Sequence, residues 1–448
     1  MNFKIKEIKT ELSPFDIYNI FSNEEDSIFL DSSKEDTSLS KYSFIGINKI
    51  EKMEYVNGHT YINSEEIEGL DYFEQLEKRI NKHSINVESE IPLLGGYIGY
   101  ISYDTGRRLE VIPNTSIEDF EIPDMRFILY NNIIVFDLEN KKTYITSLSE
   151  VENDFYNIER KICEGKRVEE VTLTNRDVKF NSNFTKEEYI EAVSKMKKYI
   201  EEGDIYIANM TQRFYSECYD NAFSIYSKLR QINKAPFSAY LNYKDFQVIS
   251  SSPERFIKIQ DGAVTTRPIK GTRPRGENEE EDIFYKNELI NSEKDKSELL
   301  MIVDLERNDL SKVCKKNSVK VTELFKIEEY ATVFHLVSTI EGKLKSGSSA
   351  INCIKEAFPG GSITGAPKIR AMEIIEELEG VKRNLYTGAI GYFDFRGNSD
   401  FNIVIRTIVK KDNRAYFGVG GGITFESDEE EEYYETIQKA KALMKVLK

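Results

Sequence analysis

Lys270 stands in the run Thr-Arg-Pro-Ile-Lys-Gly-Thr-Arg-Pro-Arg-Gly over 266–276, between a proline-fixed backbone and a Gly-Thr pair. Arg267, Arg273 and Arg275 surround it in sequence. Neighbouring cations disfavour the charged form of a lysine, and a lysine that loses its proton is a nucleophile or a base. A solvated basic loop is the plainer reading of the same run.

Carboxylates come in spaced pairs. Asp295 and Glu298 lie three apart, as do Glu432 and Glu435. On a helix such residues share a face, so each pair can aim two oxygens at one point. Hard oxygen donors suit Mg²⁺, which keeps several waters and takes only a few carboxylates. The four glutamates at 429–432 also read as a solvated acidic face.

Other residues suit an anion. Gly420, Gly421 and Gly422 follow an apolar strand expected to end at Val419, and without Cβ atoms they let N–H groups approach a carboxylate. Thr364, Gly365 and Ala366 precede a helix expected from Pro367, whose N-terminus offers free N–H donors. Turns or bulges explain the glycines equally well. Arg406, expected in a strand over 401–410, and Lys439, one turn after Glu435, read alone as surface charges. His335 sits in an apolar strand-like run and reads as a core residue or a catalyst. Glu254, in Ser-Ser-Pro-Glu-Arg, reads as a loop carboxylate.

These side chains need a scaffold. The chain has 448 residues and a formal net charge of -16, which argues against binding nucleic acid or an anionic membrane. The cysteines at 163, 218, 314 and 353 form no Cys-x-x-Cys pair, as expected of free thiols in the cytoplasm. The first residues form no apolar leader, and no apolar run is long enough to span a membrane. Residues 1–170 hold short β-type runs at 42–46, 93–100, 127–130 and 133–136, the last two split by an expected Asn131-Asn132 turn. A polar stretch over 137–183 reads as a connection. A helix starts at Thr185, with Glu188 as its capping partner. Another opens at Pro367 and ends at Gly380. Residues 388–394, 401–410 and 414–419 read as an antiparallel meander, and a last helix starts at Asp428 with Glu431 as its cap partner. Hairpins with helices added in blocks predict an α+β fold.

Taken together, Pro-Ile-Lys-Gly-Thr at 268–272, the run from Phe358 to Met372, Ile405-Arg406-Thr407 and the triple glycine resemble the chorismate-utilising enzymes. The branch they resemble is that of the aminodeoxychorismate synthases, relatives of the anthranilate synthases. The resemblance implies two large antiparallel sheets packed as a sandwich with helices outside. It implies a β-rich lobe over 1–170 and a chorismate-binding catalytic region over 185–448. Residues 294–309 and 432–440 match the family's two metal segments. They imply Glu298 and Glu435 as direct Mg²⁺ ligands and Asp295 and Glu432 as water-mediated ones. Chorismate is held, by the same likeness, by Gly271, Thr272, Thr364, Gly365, Ala366, Tyr386, Arg406, Gly420, Gly421, Gly422 and Lys439. Glu254 is placed to protonate the leaving hydroxyl, and His335 matches an active-site histidine.

Lys270 selects the branch, because anthranilate synthases typically carry alanine there. The implied reaction joins chorismate and ammonia into 4-amino-4-deoxychorismate, for 4-aminobenzoate and folate, through a covalent Lys270 adduct. No Gly-x-Cys-x-Gly motif surrounds any cysteine. The ammonia is therefore expected from a glutaminase partner. Ser32, Pro236, Phe237 and Ser238 match a pocket that holds tryptophan in some relatives. Anthranilate synthase, isochorismate synthase and a silent amino-acid-binding subunit are the alternatives.

Overall fold

The computed structural model describes residues 3–34, 39–83, 85, 87–148, 153–169, 171–329 and 333–448. Among them the chain forms 22 strands and 11 α-helices. Two long strands, Tyr42–Val56 and Met125–Asp137, organise the rest. They pair antiparallel from Tyr42 opposite Asp137 to Tyr55 opposite Met125.

Beyond this pair the ladder divides. At one end Ser27–Asp31 and Lys142–Ser147 join it, and the order continues through Phe237–Asn242, Phe246–Ser252, Thr407–Lys411, Arg414–Ile423 and Ile207–Glu217. At the other end come Gly96–Ile101, Ala389–Asp394, Ser399–Asn402, Arg255–Gln260, Ala263–Thr266 and Val333–Lys343. Ile269–Pro274 and Lys320–Glu329 flank the last of these.

The two branches pack face to face. Side chains alternate between the faces of a strand. Ile28, Leu241, Val248, Val409 and Tyr416 of the first branch share a buried cluster with Ile98, Ile128 and Tyr392 of the second. Their neighbours Phe29, Tyr240, Ile249, Ile408 and Phe417 turn outward, onto helices that include Ala222–Ile232 and Glu429–Leu447. Phe127 and Phe393 likewise turn onto Tyr72–Lys82, Glu293–Val313 and Ala350–Ala357. This is the expected α+β sandwich with helices outside.

Several local expectations change. Asn131-Asn132 is no turn: the segment is one strand, and its two halves pair with different stretches of Tyr42–Val56. Asn132 is fully buried, accepting from Asn48 Nδ2 at 2.8 Å and donating to Thr146 O at 3.1 Å. The meander is two hairpins, one in each sheet, and the chain crosses between them at 403–406. The helix Lys368–Glu379 has Pro367 as its N-cap rather than its first residue, while Gly380 ends it at φ 68 as expected. Thr185 and Glu188 form the expected box on Lys186–Glu201. Asp428 caps the last helix, but Glu431 offers its N–H rather than its carboxylate. The expected connection holds the strand Lys142–Ser147 and the helix Asn153–Glu164, with residues 149–152 and 170 outside the described residues. Among the described residues no helix is long and apolar enough to cross a membrane, and the four cysteines are free.

Candidate active site

Lys270 is placed by a bulge. The strand Ile269–Pro274 slips register against Val333–Lys343 between Lys270 and Thr272, with Gly271 at φ 79. A Cβ at Gly271 would stand 2.8 Å from Leu289 Cδ1 and 2.9 Å from Asp295 Cβ. Only glycine meets both demands, so the Lys270 strand lies directly against the helix Glu293–Val313. That helix brings Asp295 and Glu298 on one face, as their spacing predicts.

The three glycines lie inside the strand Arg414–Ile423, not after it, opposite Thr211, Met210 and Asn209. What they supply first is room. A Cβ at Gly422 would stand 3.1 Å from Lys270 Nζ and 3.7 Å from Glu298 Oε2. One at Gly421 would stand 2.8 Å from Glu432 Oε2 and 3.6 Å from Glu435 Oε1. The glycine row is therefore the floor on which Lys270 and three of the four paired carboxylates meet. Gly422→Ala is expected to crowd Lys270 and Glu298 and to lower turnover at least about tenfold with little change in melting temperature. Steady-state rates and a thermal melt check this, and an alanine variant of normal rate would remove the glycine from the site.

The carboxylates differ in environment. Burial raises Glu298, against the pull of Lys270. Burial also raises Glu432, to about 6. Its Oε1 accepts from Ser427 Oγ at 2.7 Å, while its buried Oε2 has no hydrogen-bond partner. Partial desolvation works to raise Glu435, but Lys439, 2.5 Å away, and Lys270 outweigh it and hold Glu435 low. Asp295 is ion-paired with Arg273 at 3.0 Å. Among the described residues no three acidic, His or Cys side chains already form a closed cage. A hard cation that keeps several waters needs none, and the orphaned, buried Glu432 oxygen with Glu435 beside it would suit Mg²⁺.

The residues expected to face an anion come from several elements around this floor. Lys439 Nζ donates to Gly420 O at 2.8 Å. Arg406 lies in the crossover, not in a strand, at φ 54, and its Nη1 donates to Lys439 O. The Tyr386 ring covers Gly418, where a Cβ would collide with it. Thr364 is buried, with its hydroxyl on Gly360 O at 2.9 Å. Gly365 and Ala366 pair with Ala208 and Ile207, on the other side of that strand from Gly420–Gly422. They are ladder residues as well as the lead-in to a helix, so not all of their N–H groups point at a ligand. His335 Nδ1 lies 2.9 Å from Thr272 Oγ1, and desolvation lowers the ring to about 4, so it is neutral near pH 7.

Glu254 is buried, and burial raises it against the Ser362 hydroxyl and the charge of Lys270. The arginines around Lys270 do not act as the sequence suggested. Arg267 pairs with Glu328, Arg273 with Glu288 and Asp295, and Arg275 with Asp282. Each guanidinium is held by carboxylates, so the neighbours that face Lys270 are acids. Sequence reasoning passed over Ser362 and Glu306 although both lie inside runs it singled out, 358–372 and 294–309, because nothing in either run marks those positions for the site.

Ser32, Pro236, Phe237 and Ser238 meet elsewhere, in a second pocket, partly open to solvent, that Arg255, Lys258 and Asp400 also line. Ser32 Oγ donates to Tyr42 O at 2.8 Å, and Arg255 pairs with Asp400 at 2.9 Å.

The model of the chorismate binding enzyme family matches residues 25–445. The chain belongs to that family. It is 40% identical over 361 residues to aminodeoxychorismate synthase component 1 of Bacillus subtilis, covering 79% of this chain and 77% of the relative. To the protein of the same description in Escherichia coli it is 41% identical over 361 residues, 80% and 78% of the two chains. Anthranilate synthase component 1 of Lactococcus lactis is 35% identical over 454 residues, 99% of each chain. The solved anthranilate synthase component I from Streptococcus pneumoniae superposes with a TM-score of 0.81 at 31% identity, covering 91% of this chain and 93% of that one.

Proposed function

We propose that this chain converts chorismate and ammonia into 4-amino-4-deoxychorismate, as the component 1 of an aminodeoxychorismate synthase serving 4-aminobenzoate and folate formation. The observation that carries this is Lys270, whose amine points at the glycine floor beside Glu298, where a nucleophile could meet a bound ring. Alanine, the anthranilate synthase residue, could form no adduct.

The residues divide the work. Lys439, Arg406, Tyr386, Thr272 and the segments around Thr364–Ala366 and Gly420–Gly422 hold the two substrate carboxylates. Glu298 and Glu435, with Asp295 and Glu432 through water, would hold Mg²⁺, which supplies charge stabilisation at the ring carboxylate as the hydroxyl leaves. Lys270 attacks C2 as the 4-hydroxyl departs, and Glu254 gives that hydroxyl its proton, so that water leaves. Ammonia then adds at C4 and returns a proton to Glu254, and the lysine amine is expelled. Neutral His335 orients Thr272 at the edge of the site.

The 185–448 region carries this chemistry, and the lobe over 1–170 supplies Ser32 and its neighbours to the second cavity, read as an aromatic amino-acid pocket. Free cysteines support a cytoplasmic setting. The anthranilate synthase reading has a specific observation in its favour: relatives so described match almost the full length. Product identification with chorismate, Mg²⁺ and ammonium decides between the two, since anthranilate with release of pyruvate would overturn the proposal.

The nitrogen donor is tested separately. The isolated chain is expected to be inactive with glutamine and active with ammonium salts at raised pH, because it lacks a glutaminase cysteine motif. Glutamine-dependent turnover by the purified chain alone would contradict the need for a partner.

A further inference from the structure

The helix Glu293–Val313 carries another acid, Glu306, about two turns beyond Glu298. The residue as a whole is half-buried, but its carboxyl is enclosed by protein. A Cβ at Gly361 would stand 3.5 Å from its Cγ. Ser362, the next residue, is the hydroxyl beside Glu254.

The hydrogen bonds around Glu306 fix its proton. Thr266 Oγ1 lies 2.7 Å from Phe256 O and 2.9 Å from Glu306 Oε2. A threonine hydroxyl has one proton to give, and a backbone carbonyl can only accept. Phe256 is the residue skipped where Arg255–Gln260 shifts register against Ser399–Asn402. The extra residue of a bulge is left out of the ladder, and Phe256 O is the nearer of the two oxygens to the Thr266 hydroxyl. With that proton committed, the contact between Thr266 and Glu306 is a hydrogen bond only if Glu306 supplies the hydrogen.

The surrounding charges agree. Glu254 faces Glu306 from the 251–254 segment, and Asp309 from its own helix. Lys368, the cation facing it from the helix Lys368–Glu379, is held by Asp309 at 2.6 Å and Ala357 O at 2.7 Å. Burial first, then Glu254 and Asp309, raise Glu306 to about 8 against the charge of Lys368; a proton given by Thr266 would also pull it down, but that proton is drawn to the nearer Phe256 O.

We propose that Glu306 is a positioning residue for Glu254: a carboxyl kept protonated next to the catalytic acid, so that no negative charge stands beside Glu254 while it holds the proton it donates. Two carboxylates in one desolvated space titrate as a pair. Ionising Glu306 would tighten the hold of Glu254 on its proton and weaken it as a donor to the leaving hydroxyl. It would also set an added negative charge near a substrate that is itself a dianion. Glu306 transfers no proton in the reaction.

This rests on the reading of Glu254 as the acid. The test compares kcat/KM for chorismate of the wild-type chain and of Glu306→Gln, which keeps the shape but has no proton to lose. Rates are measured from about pH 7 to about pH 9.5 with free-base ammonia held constant. The variant-to-wild-type ratio is expected to rise at least about fivefold across that range. A ratio constant within about twofold overturns the proposal. Infrared difference spectra at neutral pH supply a second readout: the protonated-carboxyl stretch is expected in wild type and lost in Glu306→Gln. Its absence from wild type would also overturn the idea. Failure of the underlying reading shows differently, as turnover that survives Glu254→Gln.

Discussion

Lys270→Ala is expected to lower 4-amino-4-deoxychorismate formation by roughly two to four orders of magnitude, the range typical of losing a positioned catalytic group. The amine is the nucleophile of the proposed adduct, and it lies 3.1 Å from where a Cβ on Gly422 would stand. Chorismate binding is expected to hold, since Lys270 is assigned to neither carboxylate of the substrate. The space opened at C2 would admit ammonia there and divert a trace of flux towards anthranilate. Intact-protein mass spectrometry with chorismate and Mg²⁺ but no ammonia reads the chemistry directly. Wild type is expected to show a chorismate-derived adduct mapping to Lys270, and the alanine variant none. An alanine variant of full rate and unchanged product would falsify the covalent route.

Glu298→Gln and Glu435→Gln are each expected to cut turnover on the order of 100-fold or more, because loss even of groups that support a metal ligand costs up to about that much. Stability is expected to respond differently in the two. Glu298 is a buried carboxylate raised by desolvation, so a neutral glutamine removes a poorly solvated charge, and the variant melts no lower than wild type. Glu435 is held low by Lys439, so its replacement loses an ion pair that is half-exposed and worth little. Turnover, thermal melts and Mg²⁺ titration by calorimetry check both. Near-normal rates at saturating Mg²⁺ in either variant would take that glutamate out of the ligand set. Calcium is expected to bind and to support turnover poorly, given its looser geometry.

How far the sequence could be read depends on where each residue finds its partners. The Thr185 box and the Gly380 stop are satisfied within a few residues, and both were legible. The carboxylate pairs were legible for the same reason, since helix periodicity alone sets their face. Asn132 misled because its hydrogen bonds run to Asn48 and Thr146, on other strands, so a pair of asparagines in mid-strand looked like a turn. Arg406 misled because a crossover between sheets reads like a strand when both its ends are strands. The arginines beside Lys270 suggested a repelled cation, but their counter-charges, Asp282, Glu288, Asp295 and Glu328, come from other elements of the fold. Glu306 gave no signal of its own within 294–309, because what marks it is one threonine proton and a bulge in another strand.

The pairing of Ser27–Asp31 with Phe237–Asn242 also sets a timetable for the newborn chain. Leu30 lies opposite Ala239, about 200 residues further on. At a synthesis rate of about 5–20 residues per second, that edge of Ser27–Asp31 waits roughly 10–40 seconds for its neighbour to leave the ribosome. Gly96–Ile101 waits longer still for Ala389–Asp394. During that interval Ile28, Phe29 and Leu30 form an open apolar edge, the kind that recruits other chains. Yield in the cell is therefore expected to depend on translation speed and on whatever shields that edge, more than on the stability of the finished sandwich.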